Sequence, residues 1–169
     1  MRSVVLTLIM FFAVTLVQAN DSTKQKQQLP SVVVKKMDGS SVNIQDYGKT
    51  GKIMVISFWA TWCTPCIKEL NNIDEIYQDW QKKYGLELVA VSMDDARTSS
   101  KVQPVANSLG WSYLILLDEN KDLARAMNVN NPPQTILIDQ SGNIVYVHNG
   151  YTEGSEIELE EQIKKLIKP

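Results

Sequence analysis

The stretch from residue 53 to residue 84 constrains this chain more than any other. Ile53-Met54-Val55-Ile56-Ser57-Phe58-Trp59 is a near-continuous apolar run, the pattern of a strand covered on both faces. Cys63-Thr64-Pro65-Cys66 follows after a short turn. Leu70, Ile73, Tyr77, Trp80 and Tyr84 then recur at steps of three and four, which predicts a helix over 65–84 with one apolar face. A buried strand that turns into an amphipathic helix belongs to an α/β architecture, and the two cysteines fall where the helix begins.

The rest of the chain extends this pattern. Val32, Val33 and Val34 read as a strand, Asp38-Gly39 as a turn, and residues 42–44 as a returning strand, which makes an N-terminal β-hairpin. Residues 46–52 read as a polar loop and 86–91 as the next strand. A polar patch over 94–100 leads to a helix whose buried face is Val102, Val105, Ala106 and Leu109, with Thr98 or Ser99 as the cap. Further strands are expected over 113–117, 135–138 and 144–147, the last two joined at Ser141-Gly142. A short helix is expected over 123–127 and a final charged helix over 155–167, with Leu159, Ile163 and Leu166 inward. Strands alternating with helices, then a hairpin, argue for a mixed central sheet with helices on both faces. There is no internal repeat and no second domain.

The first residues follow a different rule. Arg2 precedes an apolar run over 4–17, broken only by Thr7 and Thr15, and Val17 and Ala19 place small side chains behind it. This is the pattern of a secretory signal peptide cut after Ala19. The run is shorter than the ~20 residues that span a bilayer; an uncleaved anchor facing the periplasm is the alternative. Residues 1–19 are therefore read as a signal peptide, polar residues 20–31 as a flexible leader, and 32–169 as one domain. Of 169 residues 44% are hydrophobic, and the net charge is -2, so no basic field for nucleic acid exists.

Export bears on the cysteines. A bond between residues 63 and 66 closes a tiny loop and removes little entropy from the unfolded chain, so it staples poorly and suits exchange. At a helix start, unpaired N–H groups and the positive end of the helix dipole favour thiolate over thiol. Cys63, expected at the exposed end, is read as the attacking thiolate. Cys66, one turn in, resolves the mixed disulfide. Pro65 suits the first turn because its missing N–H needs no partner there, and Thr64 and Pro65 together tune the potential. An inert bridge is one alternative. Zinc is another, but it wants about four ligands, and beyond the two cysteines the sequence offers a single histidine, His148. No metal is expected, and no cofactor.

Other residues stay open from spacing alone. Glu69 starts a row continued by Ile73 and Ile76. It is either a desolvated carboxyl that exchanges the Cys66 proton or a solvated first-turn acid. Pro132-Pro133 precedes the 135–138 strand, where proline can enter a sheet; it is either a cis turn that presents backbone to an extended substrate or a plain turn. Trp62 is either part of an apolar docking surface or an ordinary half-buried aromatic. Trp59 reads as strand core, and Met93 and His148 as structural or incidental. Asp94-Asp95 reads as a solvated loop, with a place on the sheet edge beside Cys63 as the alternative.

Phe58-Trp59-Ala60-Thr61-Trp62-Cys63-Thr64-Pro65-Cys66, with Glu69 behind it, resembles the exported thioredoxin-like reductases of the TlpA and ResA type, within the redoxin group. The resemblance runs from Asp38-Gly39 through Gly51-Lys52 to Pro133-Gln134-Thr135-Ile136-Leu137-Ile138-Asp139 and Gly142, about residues 32–167. It implies a thioredoxin fold with an added N-terminal hairpin. It also implies Cys63 as attacking and Cys66 as resolving cysteine, Glu69 as the acid beside the buried cysteine, and a cis bond at Pro133. Ser57 stands where cytosolic thioredoxin carries a buried aspartate. Pro132 departs from the residue usual before the cis proline, which bears on partner contacts. The peroxiredoxin arrangement around a peroxidatic cysteine does not map onto Thr61 and Thr64. The resemblance further implies a periplasmic reductant recharged by a membrane thiol carrier; monomer is the default expectation for its oligomeric state. Its partners would be disulfide-bearing exported proteins, apocytochrome c among them; the chain has no haem motif, so a cytochrome would be a client. A net oxidant or isomerase on the same fold, and a non-enzymatic interaction module with an inert bridge, are the other readings.

Overall fold

The computed structural model describes residues 27–167. The signal peptide at 1–19 and most of the leader lie outside the described residues. The elements in chain order are β1 (Val33–Lys36), β2 (Ser41–Asn43), α1 (Ile44–Gly48), β3 (Met54–Trp59), α2 (Thr64–Tyr84), β4 (Glu87–Ser92), α3 (Val102–Leu109), β5 (Leu114–Leu117), α4 (Asp122–Ala126), β6 (Gln134–Ile138), β7 (Ile144–Asn149) and α5 (Ser155–Lys165). Among the described residues the strands form one seven-stranded sheet in the order β2-β1-β5-β4-β3-β6-β7. β3, β4 and β5 run parallel. β6 and β7 add antiparallel on one side, and the β1–β2 hairpin adds antiparallel to β5 on the other.

β3 is an interior strand between β4 and β6, and every residue of it is buried. Its period of two divides the core. Val55 and Trp59 join a cluster with Leu70, Ile73, Tyr77 and Trp80 of α2, Ala106 of α3 and Ile163 of α5. Met54, Ile56 and Phe58 join Ile44 of α1 and Leu123 and Ala124 of α4. Helices thus cover both faces, as the alternation of elements requires. α2 ends at Gly85, whose φ of 63° is a conformation that suits a residue without Cβ; its N–H bonds the Gln81 carbonyl at 2.9 Å.

Four local expectations differ from the structure. Residues 44–48, expected as strand end and polar loop, form α1, because the Asn43 side chain caps it by accepting the Gln45 N–H at 3.0 Å. Neither Thr98 nor Ser99 caps α3 with its side chain. A 3-10 turn over Ser99–Lys101 intervenes, and Ser99 bonds Glu119 instead. The end of the expected flexible leader is packed: Gln28 bridges Asn143, and Leu29 is buried against Gly48. Asp94, expected in a solvated loop, is buried.

Candidate active site

The cysteines sit where β3 hands over to α2. The Cys63 N–H bonds the Ala60 carbonyl at 3.0 Å, which closes the turn out of the strand. The Cys63 carbonyl accepts the first helical bond, from Ile67 N–H at 3.2 Å, so Cys63 is the N-cap residue of α2. Cys63 and Cys66 are joined as a disulfide. An N-cap side chain reaches the N–H of the second or third helical residue. Here the second is Pro65, which has none, and the third is Cys66. Once the bond opens, the Cys66 N–H and the helix dipole are what the Cys63 thiolate meets.

Cys63 differs from expectation in one respect. Its residue surface is only 5% exposed in the disulfide form, against 0% for Cys66. The inequality has the expected sense, but Cys63 is recessed, because the bond ties it to a fully buried partner. Thr64 and Pro65 are exposed at the helix start, and Trp62 beside them is 60% exposed. Trp62 is therefore an open aromatic surface next to Cys63 rather than a half-buried one. Trp59 is core.

Glu69 stands one helical turn beyond Cys66 on the same face of α2, and is 3% exposed. Thr135 Oγ1 donates to its Oε1 at 2.6 Å, and Ser57 Oγ donates to Oε2 at 3.3 Å. Burial raises its carboxyl from 4.5 to about 7; the two hydroxyl bonds pull it back part way, and the negative charge of Glu156 adds to the rise. Ser57 lies on β3 between Val55 and Trp59, so strand parity turns it toward α2. The solvated-acid alternative for Glu69 is thereby excluded.

Pro132 and Pro133 lie at the start of β6, and the peptide bond between them is cis. The register pairs Phe58 with Gln134, so these prolines lie at the sheet end where β3 leads to Cys63. They line a groove with Asn130, Asn131, Gln134 and Asn149, amide side chains without formal charge. Pro133 is buried and its carbonyl accepts the Gly150 N–H at 2.8 Å; Pro132 is partly exposed.

Asp94 takes the less favoured of its two sequence readings, the sheet edge beside Cys63 rather than a solvated loop. Its carboxylate accepts the Thr61 N–H at 2.8 Å, the Thr61 hydroxyl at 2.6 Å and the Ser92 hydroxyl at 2.9 Å. It therefore anchors the turn that carries Cys63. Its signal was present: β3 and β4 are parallel with Trp59 opposite Ser92, so positions two beyond each strand end meet at the carboxyl edge where α/β sites form. Among the described residues no group of three or more His, Cys, Asp or Glu side chains is placed to hold a metal ion.

Comparison with known proteins agrees with this geometry. The family model described as "AhpC/TSA family" matches residues 26–147. A thiol-disulfide oxidoreductase ResA of Bacillus thuringiensis is 31% identical, over 96% of this chain and 94% of its own length. One of the same name from Halalkalibacterium halodurans is 30% identical, over 85% of this chain and 77% of its own. A thioredoxin-like protein of Porphyromonas gingivalis, solved in solution, is 46% identical and superposes with a TM-score of 0.74, covering 84% of this chain and 93% of its own. A dithiol pair at a helix start, on a mixed sheet of thioredoxin form and among relatives of this kind, makes the chain a thiol-disulfide oxidoreductase that belongs to the AhpC/TSA family.

Proposed function

We propose that the protein works as a reductant of disulfides in exported client proteins, apocytochrome c among the candidates, outside the cytoplasmic membrane. The observation that carries the direction is Glu69. A dithiol protein is oxidising when its reduced, thiolate-bearing form is stabilised. At Cys63 the start of α2 supports a thiolate, but beneath Cys66 there is a dry wall and a carboxyl one turn away. Both disfavour negative charge on the second sulfur. The thiolate stabilisation that makes a dithiol pair oxidising is thus confined to Cys63, which supports the reductant reading.

In this cycle the Cys63 thiolate attacks the client disulfide and releases one client sulfur. Cys66 passes its proton to Glu69, attacks Cys63 and releases the second. Trp62, Thr64, Pro65 and the Pro132-Pro133 groove form the surface on which the client lies. The N-terminal segment 1–19 acts as the export signal, cut after Ala19, and releases residues 20–169, the domain at 32–169 preceded by a short leader, as a monomer in the periplasm. No described helix is long and apolar enough to cross a membrane. A membrane thiol carrier returns the protein to its dithiol form.

The midpoint potential of the Cys63–Cys66 pair tests the direction: a value well below that of exported oxidants is expected, and a value at or above the glutathione couple would assign an oxidant or isomerase instead. Cys63→Ser should abolish insulin-disulfide reduction, while Cys66→Ser should accumulate client as a mixed disulfide seen by mass spectrometry. Full activity of Cys63→Ser overturns the attack role, and a 63–66 bond that stays closed under mild reductant in the folded protein assigns an inert bridge.

A further inference from the structure

A buried base acts only when it is ionised. Glu69 is almost wholly enclosed and its carboxyl is pushed up to about 7, so near neutrality a proton must leave it before Cys66 can resolve the mixed disulfide. A narrow crevice opens beside it between α2, α5 and the β6–β7 ladder, and its lining includes Glu69, Thr135, Tyr146, His148 and Glu156. His148 is the only histidine of the chain. It stands directly opposite Thr135 in the antiparallel register, so both side chains leave the same face of the sheet, about 5 Å apart at Cβ. Thr135 is the residue whose hydroxyl holds Glu69 Oε1. His148 is half-buried, so one side of it meets the crevice and the other approaches solvent.

We propose that His148 is a relay that carries the proton between Glu69 and solvent through this crevice. The inference rests on the reading of Glu69 as the base for Cys66. Imidazole is the side chain that both accepts and releases protons near neutrality. In the step that closes the cycle, Cys66 S–H gives its proton to the Glu69 carboxylate. The sulfur electron pair forms the 63–66 bond while the bond from Cys63 to the client breaks. The client leaves as a thiolate and takes a proton from water. Glu69 then passes its proton to the His148 imidazole, which releases it to water, and the carboxylate is restored. The Cys63 thiolate and the Cys66 thiol become the disulfide, and the client disulfide becomes one thiolate and one thiol, so charge and the single Cys66 proton balance.

The charged and titratable groups facing this path come from every element around it. Glu156 of α5 lines the crevice, and its charge acts on Glu69. The Tyr146 hydroxyl of β7 lies 3.2 Å from His148 Nδ1 and donates to Glu158 of α5 at 3.0 Å. Tyr113, just before β5, is buried, and its hydroxyl pKa is raised by burial first and then by the charges of Asp74 and Glu69. Of these groups only His148 combines a place beside Thr135 with partial exposure to water.

The test is single-turnover reduction of a peptide disulfide by the reduced protein between pH 6 and 8.5, with imidazole buffer varied at constant ionic strength. The parent should show a rate independent of buffer concentration. His148→Gln and His148→Phe should be slowed roughly tenfold, and added imidazole should restore much of the loss. A purely structural role predicts slowing that buffer cannot rescue, and that result overturns the relay. So does an unchanged, buffer-independent rate in both variants while Glu69→Gln is slow. If Glu69→Gln also runs at the parental rate, the base reading falls together with the relay. As a readout that needs no His148 variant, the imidazole titration followed by NMR in the oxidised protein should differ between the parent and Glu69→Gln; identical curves count against any coupling.

Discussion

Glu69 holds its carboxyl near neutrality inside the fold, and this has a consequence for stability. In the unfolded chain a glutamate titrates near 4.5, and in the folded protein this one titrates at about 7. The folded state therefore binds the proton more tightly. The stability this proton confers is fully present below about pH 4.5 and is lost as pH rises to about 7, a loss on the order of 3 kcal/mol. Glu69→Gln should abolish that slope and leave the oxidised protein more stable than its parent at pH 8, because the amide stays neutral. Urea denaturation of both proteins at pH 5 and pH 8 measures it; parallel pH profiles for the two would mean that Glu69 is not the group responsible. The same substitution should slow resolution of the mixed disulfide. A gain in stability with a loss in rate is the behaviour of a group kept for chemistry rather than for folding.

At the scale of elements, the important junction is the turn between β3 and α2. Two strand ends meet there, and the Asp94 carboxylate ties them by accepting three hydrogen bonds from Thr61 and Ser92. Asp94→Ala leaves the Thr61 N–H without its partner, and the oxidised protein should lose about 2–3 kcal/mol in urea denaturation. The turn that aims Cys63 would loosen, so insulin reduction should slow roughly tenfold. Asp94→Asn retains an acceptor oxygen and should fall between the parent and Asp94→Ala on both measures. Equal activity of Asp94→Ala and the parent would show that the turn is held by other means. The helix start itself was legible in the sequence, because Pro65 and the 3-4 spacing of Leu70, Ile73, Tyr77 and Trp80 are local features. The clasp was not, because its two halves are 33 residues apart and meet only through the parallel pairing of β3 with β4.

Across the whole molecule, the cysteines and the support for the N-terminal segment occupy opposite ends of the sheet. β6 runs from Gln134, beside Phe58 near the cysteines, to Ile138, beside Met54 at the far end. Beyond it lies Gly142, with φ of 79° and a virtual Cβ 3.1 Å from the Gly48 carbonyl oxygen. The Leu29 N–H bonds the Gly142 carbonyl at 3.1 Å in the same corner. Gly142→Ala combines a left-handed conformation with a tight contact to the Gly48 carbonyl oxygen and should destabilise by about 1–3 kcal/mol. Because this corner is remote from the cysteines, reduction of insulin at 25 °C should stay within about twofold of the parent. Thermal unfolding and the insulin assay separate the two effects. A large drop in activity without unfolding would reveal coupling between the ends of the sheet.

The parts of this protein determined by its sequence alone are those carried by near neighbours in the chain: the α/β order, the burial of β3, the amphipathic α2 and a cysteine pair at its start. Periodicity, caps and proline placement act over a few residues, so they are readable before folding. Some local signals were misread, as when Asn43 proved to cap a short helix where a loop was expected. Which alternative Glu69 takes, the burial of Asp94, the recess of Cys63 and the meeting of Thr135 with His148 were decided only by tertiary structure. Each depends on solvent being excluded, or on strands being paired, by residues far away in the sequence. Desolvation and register are properties of the assembled sheet, and no local pattern contains them.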